Sequence, residues 1–296
     1  MKYKGQHMVI ILLLLVVSIK VSAQTKVEVL TKTVEKRFGY IPGNIISVNG
    51  ESARINIVGW ERSEVKVVIK LISKGLTKAE AEKELEYQKF IIKTFDEKHI
   101  IKNFLLIPNE LKELKTIQET EIQVFVPQNV ELTIENKYGE TSLDNLDQKL
   151  KLISEYGFTQ LNKVSGDIEL ESNFGDLLID DATGKMKLTL HLTKTTMDRF
   201  NGKGYIKSNL GDLKIKNLDQ SSTLRINSTK SDVQLEVTSI ENYKWLVKSK
   251  YGALKAPSTF LKYNESNSGV KLDYGTIDKP ELNITTDFGE IEIIEL

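Results

Sequence analysis

Acids recur at fixed places in the second half of the chain. Glu140, Asp167, Asp176, Asp212, Asp232 and Glu290 each follow a glycine or serine. Repeated carboxylates are the donor type that calcium takes. Calcium-binding β-rolls, however, need a nine-residue glycine-rich repeat in which successive turns give several oxygens to each ion. Here each unit supplies one acid and no paired glycines. Turn chemistry is therefore the expected role of these acids, and neither a metal nor a cofactor is expected. Beyond the first 23 residues the histidines are His99 and His191, far apart and without a cysteine partner. His191 falls on the polar side of the alternation Leu188-Thr189-Leu190-His191-Leu192 and is expected to face solvent. No Gly-x-Ser-x-Gly elbow, phosphate loop or dinucleotide glycine motif occurs, so no catalytic residue is assigned. Lys149, Lys151, Lys163, Lys185, Lys187, Lys214 and Lys216 could line one basic face that holds an acidic polysaccharide. The plainer reading makes them the solvated side of alternating strands, guarding edges against aggregation.

Those acids belong to a repeated phrase, an aromatic or Leu, then Gly, then often Asp or Glu. It appears at Tyr138-Gly139-Glu140, Tyr156-Gly157, Phe174-Gly175-Asp176, Leu210-Gly211-Asp212, Tyr251-Gly252, Tyr274-Gly275 and Phe288-Gly289-Glu290. Ser165-Gly166-Asp167 and Lys230-Ser231-Asp232 look like degenerate copies. Gly139, Gly157 and Gly175 are 18 residues apart, and Gly211 lies two such steps further on. After each corner the chain alternates, with Ile168 and Leu170, Leu177 and Ile179, Leu213 and Ile215, Val233 and Leu235, and Ile291 and Ile293 on one face. Glu169, Lys214, Gln234 and Glu292 take the other face. A strand, a corner and another strand at this period fit one coil of a parallel β-solenoid. Hairpin signals are scarce, Asn201-Gly202 excepted, which disfavours an antiparallel sandwich. The glycine is expected where φ is positive or backbones crowd. The aromatics are expected to stack inside as a core ladder. In the alternative, Tyr138, Tyr156, Tyr251 and Tyr274 belong to an outer stripe that stacks on sugar rings.

The elements that position this repeat follow in chain order. Residues 1–23 have the form of a secretory signal peptide, with Lys2 and Lys4, the apolar run Val9 to Ile19, and Val21-Ser22-Ala23 before Gln24. The run is too short to span a bilayer. No cysteine occurs, so neither a lipidated cysteine at that junction nor a structural disulfide is expected. Removing the segment leaves 38 basic and 41 acidic side chains, too balanced to argue for nucleic acid or anionic lipid.

Residues 24–130 are expected to form a β-rich cap with one short helix. Strands are predicted from Lys26 to Phe38, Val48 to Val58, Val65 to Ile72 and Ile122 to Val126. Thr77 and Glu80 start the helix, and Phe90 to Phe95 pairs with Ile100 to Ile107 as a hairpin. Residues 131–296 are expected to form the solenoid, right-handed rather than left-handed. The closing strand, with Glu290, Glu292 and Glu295 outward, is expected to be the last coil and a weak self-association edge.

The order of motifs carries a resemblance. Asn49-Gly50 precedes an alternating strand; Val58-Gly59-Trp60-Glu61 and Val65-Lys66-Val67 follow, then the short acidic helix, Val124-Phe125-Val126-Pro127 and the Tyr-Gly-Glu repeat. In this order the chain resembles the bacterial domain family described as putative adhesins with β-strand repeats. The resemblance implies an exported envelope protein with a β-helical body, and it supplies no catalytic motif. The function expected is non-enzymatic binding or scaffolding of a protein or glycan of the envelope, in the periplasm rather than at the surface. A polysaccharide-active β-helix enzyme and an accessory of an envelope stress-sensing system are the alternatives.

Overall fold

In extended chain, side chains two apart point the same way. From Leu132 onward the apolar member of each pair turns inward. Leu132, Ile134, Leu150, Leu152, Ile168 and Leu170 are all buried, as are Leu213, Ile215, Val233, Leu235, Ile291 and Ile293. The computed structural model describes residues 26–260, 264–266 and 269–296. The expected signal peptide lies outside them.

The chain opens with β1 (Glu28–Gly39), β2 (Ile45–Glu51), β3 (Ala53–Trp60) and β4 (Glu64–Gly75). A short helix, α1 (Lys78–Leu85), is capped by Thr77, whose Oγ1 accepts from Glu80 N at 3.2 Å. Next come β5 (Gln88–Phe95), β6 (Lys98–Leu105), β7 (Ile117–Pro127), β8 (Glu131–Lys137) and β9 (Thr141–Glu155). The long β10 (Phe158–Asn209) bends at several corners without leaving its hydrogen-bonded ladder. It leads into β11 (Leu213–Lys216), β12 (Thr223–Thr229), β13 (Val233–Val237), β14 (Lys244–Lys250) and β15 (Leu254–Lys255). The chain closes with β16 (Asn264–Ser266), β17 (Gly269–Tyr274), β18 (Glu281–Asp287) and β19 (Ile291–Glu295).

These strands build an all-β solenoid. β9 lies parallel on β10 with Thr141 opposite Thr159 and Leu152 opposite Leu170, a step of 18 residues. The same step sets Thr195 opposite Leu213, and it lengthens to 20 where Lys203 meets Thr223. Each coil has two strand limbs and a short third side. That side carries one inward residue, in succession Leu146, Val164, Ala182, Phe200 and Leu218, all buried. The first coil is β2 and β3. They lie parallel on β8 and β9, with Ile45 opposite Glu131 and Ile55 opposite Thr141. The residues expected as a cap therefore supply a coil before they supply a cap. On the far side of that coil, β6 and β7 add one parallel layer. Antiparallel strands then close it, with β5 on β6 and β4 on β7, and β1 on β4. His99 is buried in this cap, stacked on Phe38 at 4.5 Å and within 2.9 Å of Thr94 Oγ1.

The far end departs from the sequence expectation. The closing strands are not the last coil. β18 lies between β12 and β14, with Ile284 opposite both Ile226 and Val247. β19 pairs along all of β13, and with β15 at Ile291 and Glu292. Their acids join neighbouring coils rather than guard an edge. Gln234 Nε2 donates to Glu292 at 2.6 Å, Lys255 pairs with Glu290 at 2.6 Å, and Ile240 N donates to Glu295 at 3.0 Å. β18 is thus paired on both edges, and β19 along one edge and, on the other, at Ile291 and Glu292. The physical reason is that the chain leaves the stack after Val237, builds the end coil from β14 and β15, and returns to fill the gap. An aromatic plug closes that end. Tyr243, Trp245 and Phe260 are buried in edge-to-face contact, and Tyr274 packs on Phe260 at 5.0 Å. Tyr243 donates to Leu218 O at 3.0 Å, and burial, aided by the Asp219 charge, pushes its phenol up to about 12. The antiparallel β17 covers β14.

Three outcomes follow from this packing. Ile284→Ala removes a side chain held between two coils and should cost about 2–5 kcal/mol in urea unfolding; a loss below about 1 kcal/mol would place β18 outside the stack. A Cβ on Gly157 would lie 1.9 Å from Gly139 O. Gly157→Ala should therefore cost about 3 kcal/mol or more, since backbone must move; an unchanged melting temperature would refute the corner packing. Burial holds the His99 imidazolium below its usual range. The unfolded chain then takes up a proton that the folded chain refuses. Stability should be full above about pH 6.5 and decline as pH falls below it. His99→Gln should flatten that decline in pH-dependent unfolding, and an equal slope in the variant would exclude His99 as its source.

Candidate functional site

Two surface features run along the solenoid axis. The first is the column of residues that precede the corner glycines, or the Thr193 and Ser231 that replace glycine in two coils. Alternation through Leu132, Ile134 and Asn136 would carry Tyr138 inward. Instead Tyr138, Tyr156, Phe174, Leu192, Leu210, Lys230, Phe288 and Tyr251 all have positive φ, between 48° and 60°. That left-handed turn throws the side chain outward, and Tyr138 is 60% exposed and Phe288 57%. The expected core ladder is thus corrected to an outer one. The glycine meets the other half of its expectation, the crowding of backbones. A Cβ at Gly139, Gly175 or Gly289 would lie 1.9–2.1 Å from a carbonyl oxygen of the neighbouring coil.

The rings stack face to face, Tyr138 on Tyr156 at 5.1 Å, Tyr156 on Phe174 at 4.7 Å, and Tyr251 on Phe288 at 5.0 Å. His191 is half-buried, its ring edge-on to Phe174 at 5.4 Å and its Nδ1 3.3 Å from Asn209 Nδ2. Faces that cover each other are closed to a sugar ring. Tyr156 is covered on both faces, whereas Tyr138 and Tyr251 are each stacked on one face. Tyr274 is not in the column; it belongs to the end plug, with its hydroxyl on Glu241. Ser165-Gly166-Asp167 is not a copy of the phrase either. Gly166 stacks over Gln148 and under Gly184 at another corner, whereas Lys230-Ser231-Asp232 is a true member.

Inside the aromatic corner runs a buried polar column that sequence reasoning missed. Asn136, Ser154, Ser172, Ser208, Ser228, Ser249 and Thr286 each sit two residues before the left-handed residue and are buried. Asn136 Nδ2 donates to Ala53 O at 3.0 Å and Glu140 O at 3.1 Å, tying two coils at the turn. Thr159 Oγ1 donates to Ser154 Oγ at 2.9 Å. The available signal was the longer phrase Asn, Ser or Thr, any residue, aromatic, Gly.

The second feature is a trough of about 470 Å³ on the outer face of the first limb. One wall is Lys149, Asp167, Lys185 and Lys203; the other is Lys151, Glu169, Lys187 and Tyr205. The floor is the strand backbone at Leu150, Ile168, Met186 and Gly204. In-register pairing makes these rows, since Asp167 lies opposite Lys149 and Glu169 opposite Lys151. Five cations face two anions. Lys149 pairs with Glu131 at 2.8 Å, Lys187 with Glu169 at 2.7 Å and Lys185 with Asp167 at 3.8 Å. Hydrogen bonding to those carboxylates holds Lys149 and Lys187 above the usual lysine range, and Lys187 holds Glu169 below that of a carboxylate. Of the seven lysines proposed for one basic face, Lys149, Lys151, Lys185 and Lys187 share this trough. Lys214 and Lys216 lie on the second limb, and Lys163 at a left-handed corner. The corner acids divide as well. Asp167 stands on the trough wall, while Glu140 pairs with Arg54 at 3.0 Å and Asp232 accepts from Glu290 N at 2.8 Å. Among the described residues no group of three or more metal-ligating side chains gathers, and no helix is long and apolar enough to cross a membrane.

The fold has relatives among solved structures. A putative adhesin from Parabacteroides merdae is similar over 89% of this chain and 97% of its own, with a TM-score of 0.50 at 11% identity. A putative lipid binding protein from Parabacteroides distasonis matches over the same shares at a TM-score of 0.46 and 10% identity. A putative adhesin from Bacteroides fragilis does so at 0.41 and 11%. At such identity the first likeness bears on the fold alone. No curated protein matches. The family model for Toastrack DUF4097 matches residues 44–294, from the residue before β2 into β19, and the chain belongs to this family of adhesin-like β-solenoid domains.

Proposed function

We propose that this chain is an exported, non-enzymatic protein of the cell envelope that binds or scaffolds an extended partner along its solenoid axis. One observation carries the reading. The same positions of successive coils form straight rows on the outer face, and two of those rows wall a trough that is open to solvent. A groove walled by repeating side chains suits a ligand that itself repeats, because each coil offers the next ligand unit the same chemistry. The adhesin-like character of the family supports binding over catalysis. The basic start, apolar run and Val21-Ser22-Ala23 junction support export, and we place the chain in the periplasm.

The purified chain from Gln24 onward should cosediment with isolated envelopes of the source organism. Exchanging the trough cations that form no ion pair among the described residues, Lys151→Gln with Lys203→Gln, should lower that retention, and Lys214→Gln with Lys216→Gln on the second limb should not. Absence of retention, or equal loss in both variants, would remove the reading. Fractionation should find the native chain in the periplasm; recovery in the cytoplasm would contradict export.

A further inference from the structure

We infer that the trough binds a linear acidic polysaccharide that carries a uronic acid at alternate sugars. This rests on the binding reading above and names its ligand class.

Charge pattern comes first. Lysines occupy both walls at the coil of Lys149 and Lys151 and again at the coil of Lys185 and Lys187, and the coil between them carries Asp167 and Glu169. Neighbouring strands stand about 4.8 Å apart, so the two lysine pairs repeat at roughly 10 Å along the axis. An extended pyranose chain advances by close to one strand spacing per sugar. A carboxylate on every second sugar then meets a lysine pair each time. The sugar between meets Asp167 and Glu169, which accept hydrogen bonds from its hydroxyls. A carboxylate on every sugar would face those acids and be repelled.

Available cations come second. Lys149, Lys185 and Lys187 are held by acids, but Lys151 and Lys203 are exposed and form no ion pair among the described residues. These two stand three coils apart, roughly 14 Å along the axis, so each can meet a different part of an extended acidic ligand without breaking an existing pair.

The third observation is Tyr205 at the end of one wall, 38% exposed. The column aromatics are each stacked on at least one face, whereas Tyr205 has no ring stacked on it among the described residues. Its hydroxyl accepts from Asn227 Nδ2 at 3.4 Å, which steadies the ring beside Gly204. The exposed ring offers an aromatic surface on which a sugar's C–H face can lie, while the missing side chain at Gly204 faces the core, where a Cβ would meet Leu224 Cδ2 at 2.4 Å. Arg225, opposite Tyr205 on the next coil, continues the basic row.

Titration calorimetry on the chain from Gln24 onward tests this with three probes. They are hyaluronan oligosaccharide, which alternates a uronic acid with a neutral sugar; its carboxyl methyl ester; and polygalacturonate, acidic at every sugar. The alternating acid should bind best, weaken as salt rises, and lose about tenfold on esterification. Lys151→Gln with Lys203→Gln should cost about tenfold as well. Tyr205→Ala should weaken binding severalfold, and Lys214→Gln with Lys216→Gln should leave it unchanged. These exchanged residues are on the outer face, so melting temperatures should hold and report that each variant is folded. Equal binding of ester and acid, tighter binding of polygalacturonate, or a folded lysine variant that binds like the parent would each overturn the inference. If no probe binds while envelopes still retain the chain through the trough, the ligand class is wrong and the binding reading stands. If neither is bound, both fall.

Discussion

The close approach of one coil's carbonyl to the next coil's glycine is the constraint on which the solenoid depends. Where glycine stands at this corner there is no room for a side chain, and only Ala53, Thr193 and Ser231 take its place in other coils among the described residues. Gly139 lies over Ala53, Gly157 over Gly139 and Gly175 over Gly157, and a Cβ would come within about 2 Å of each carbonyl. Such contact is possible only if successive coils are in register, so the corner fixes the 18-residue step. The backbone must also reverse within one residue, and the residue before the glycine adopts left-handed geometry to do so. For Tyr or Phe that conformation costs about 1–2 kcal/mol. Stacked rings outside and the inner hydrogen bonds of Asn136 Nδ2 to Ala53 O and of Thr159 to Ser154 offset the cost at the same corner.

Everything useful on the outer surface follows from that register. Residues with no sequence relation beyond the period become neighbours in rows. Lysines thus wall a trough, and aromatics line up as a ridge. In the ridge the rings cover one another in two runs, Tyr138 to Phe174 and Phe288 with Tyr251. In the trough, among the described residues, Lys151 and Lys203 form no ion pair and no ring stacks on Tyr205. That difference makes the trough, rather than the ridge, the place where a partner gains most.

Much of the architecture was legible in the sequence because alternation and spacing are direct consequences of the coil. Ile168, Leu170, Leu177 and Ile179 went inside as their parity required. Parity misled at Tyr138, since the same rule that buries Asn136 would bury it, and only the φ reversal exempts it. The lengthened glycine spacings after Gly211 were visible but not interpretable. They arise because the chain builds its end coil first and inserts β18 and β19 afterwards, a detour to which local pattern is blind. Tyr274-Gly275 fits the phrase by composition while serving the plug. For the trough, the lysines were found, but grouping them by type mixed two limbs of the coil. Tyr205 was missed because no glycine follows it.

In-register stacking can be measured directly because the chain has no cysteine of its own. Lys151 and Glu169 are opposite one another on adjacent coils of the trough. Their Cα atoms should stand about 4.8 Å apart, within the range a disulfide spans. Oxidation of Lys151→Cys with Glu169→Cys should close an intramolecular disulfide readily, whereas Lys151→Cys with Glu171→Cys should close slowly or not at all. Closure of the second pair in preference to the first would shift the coils out of register and dissolve the rows that form the trough.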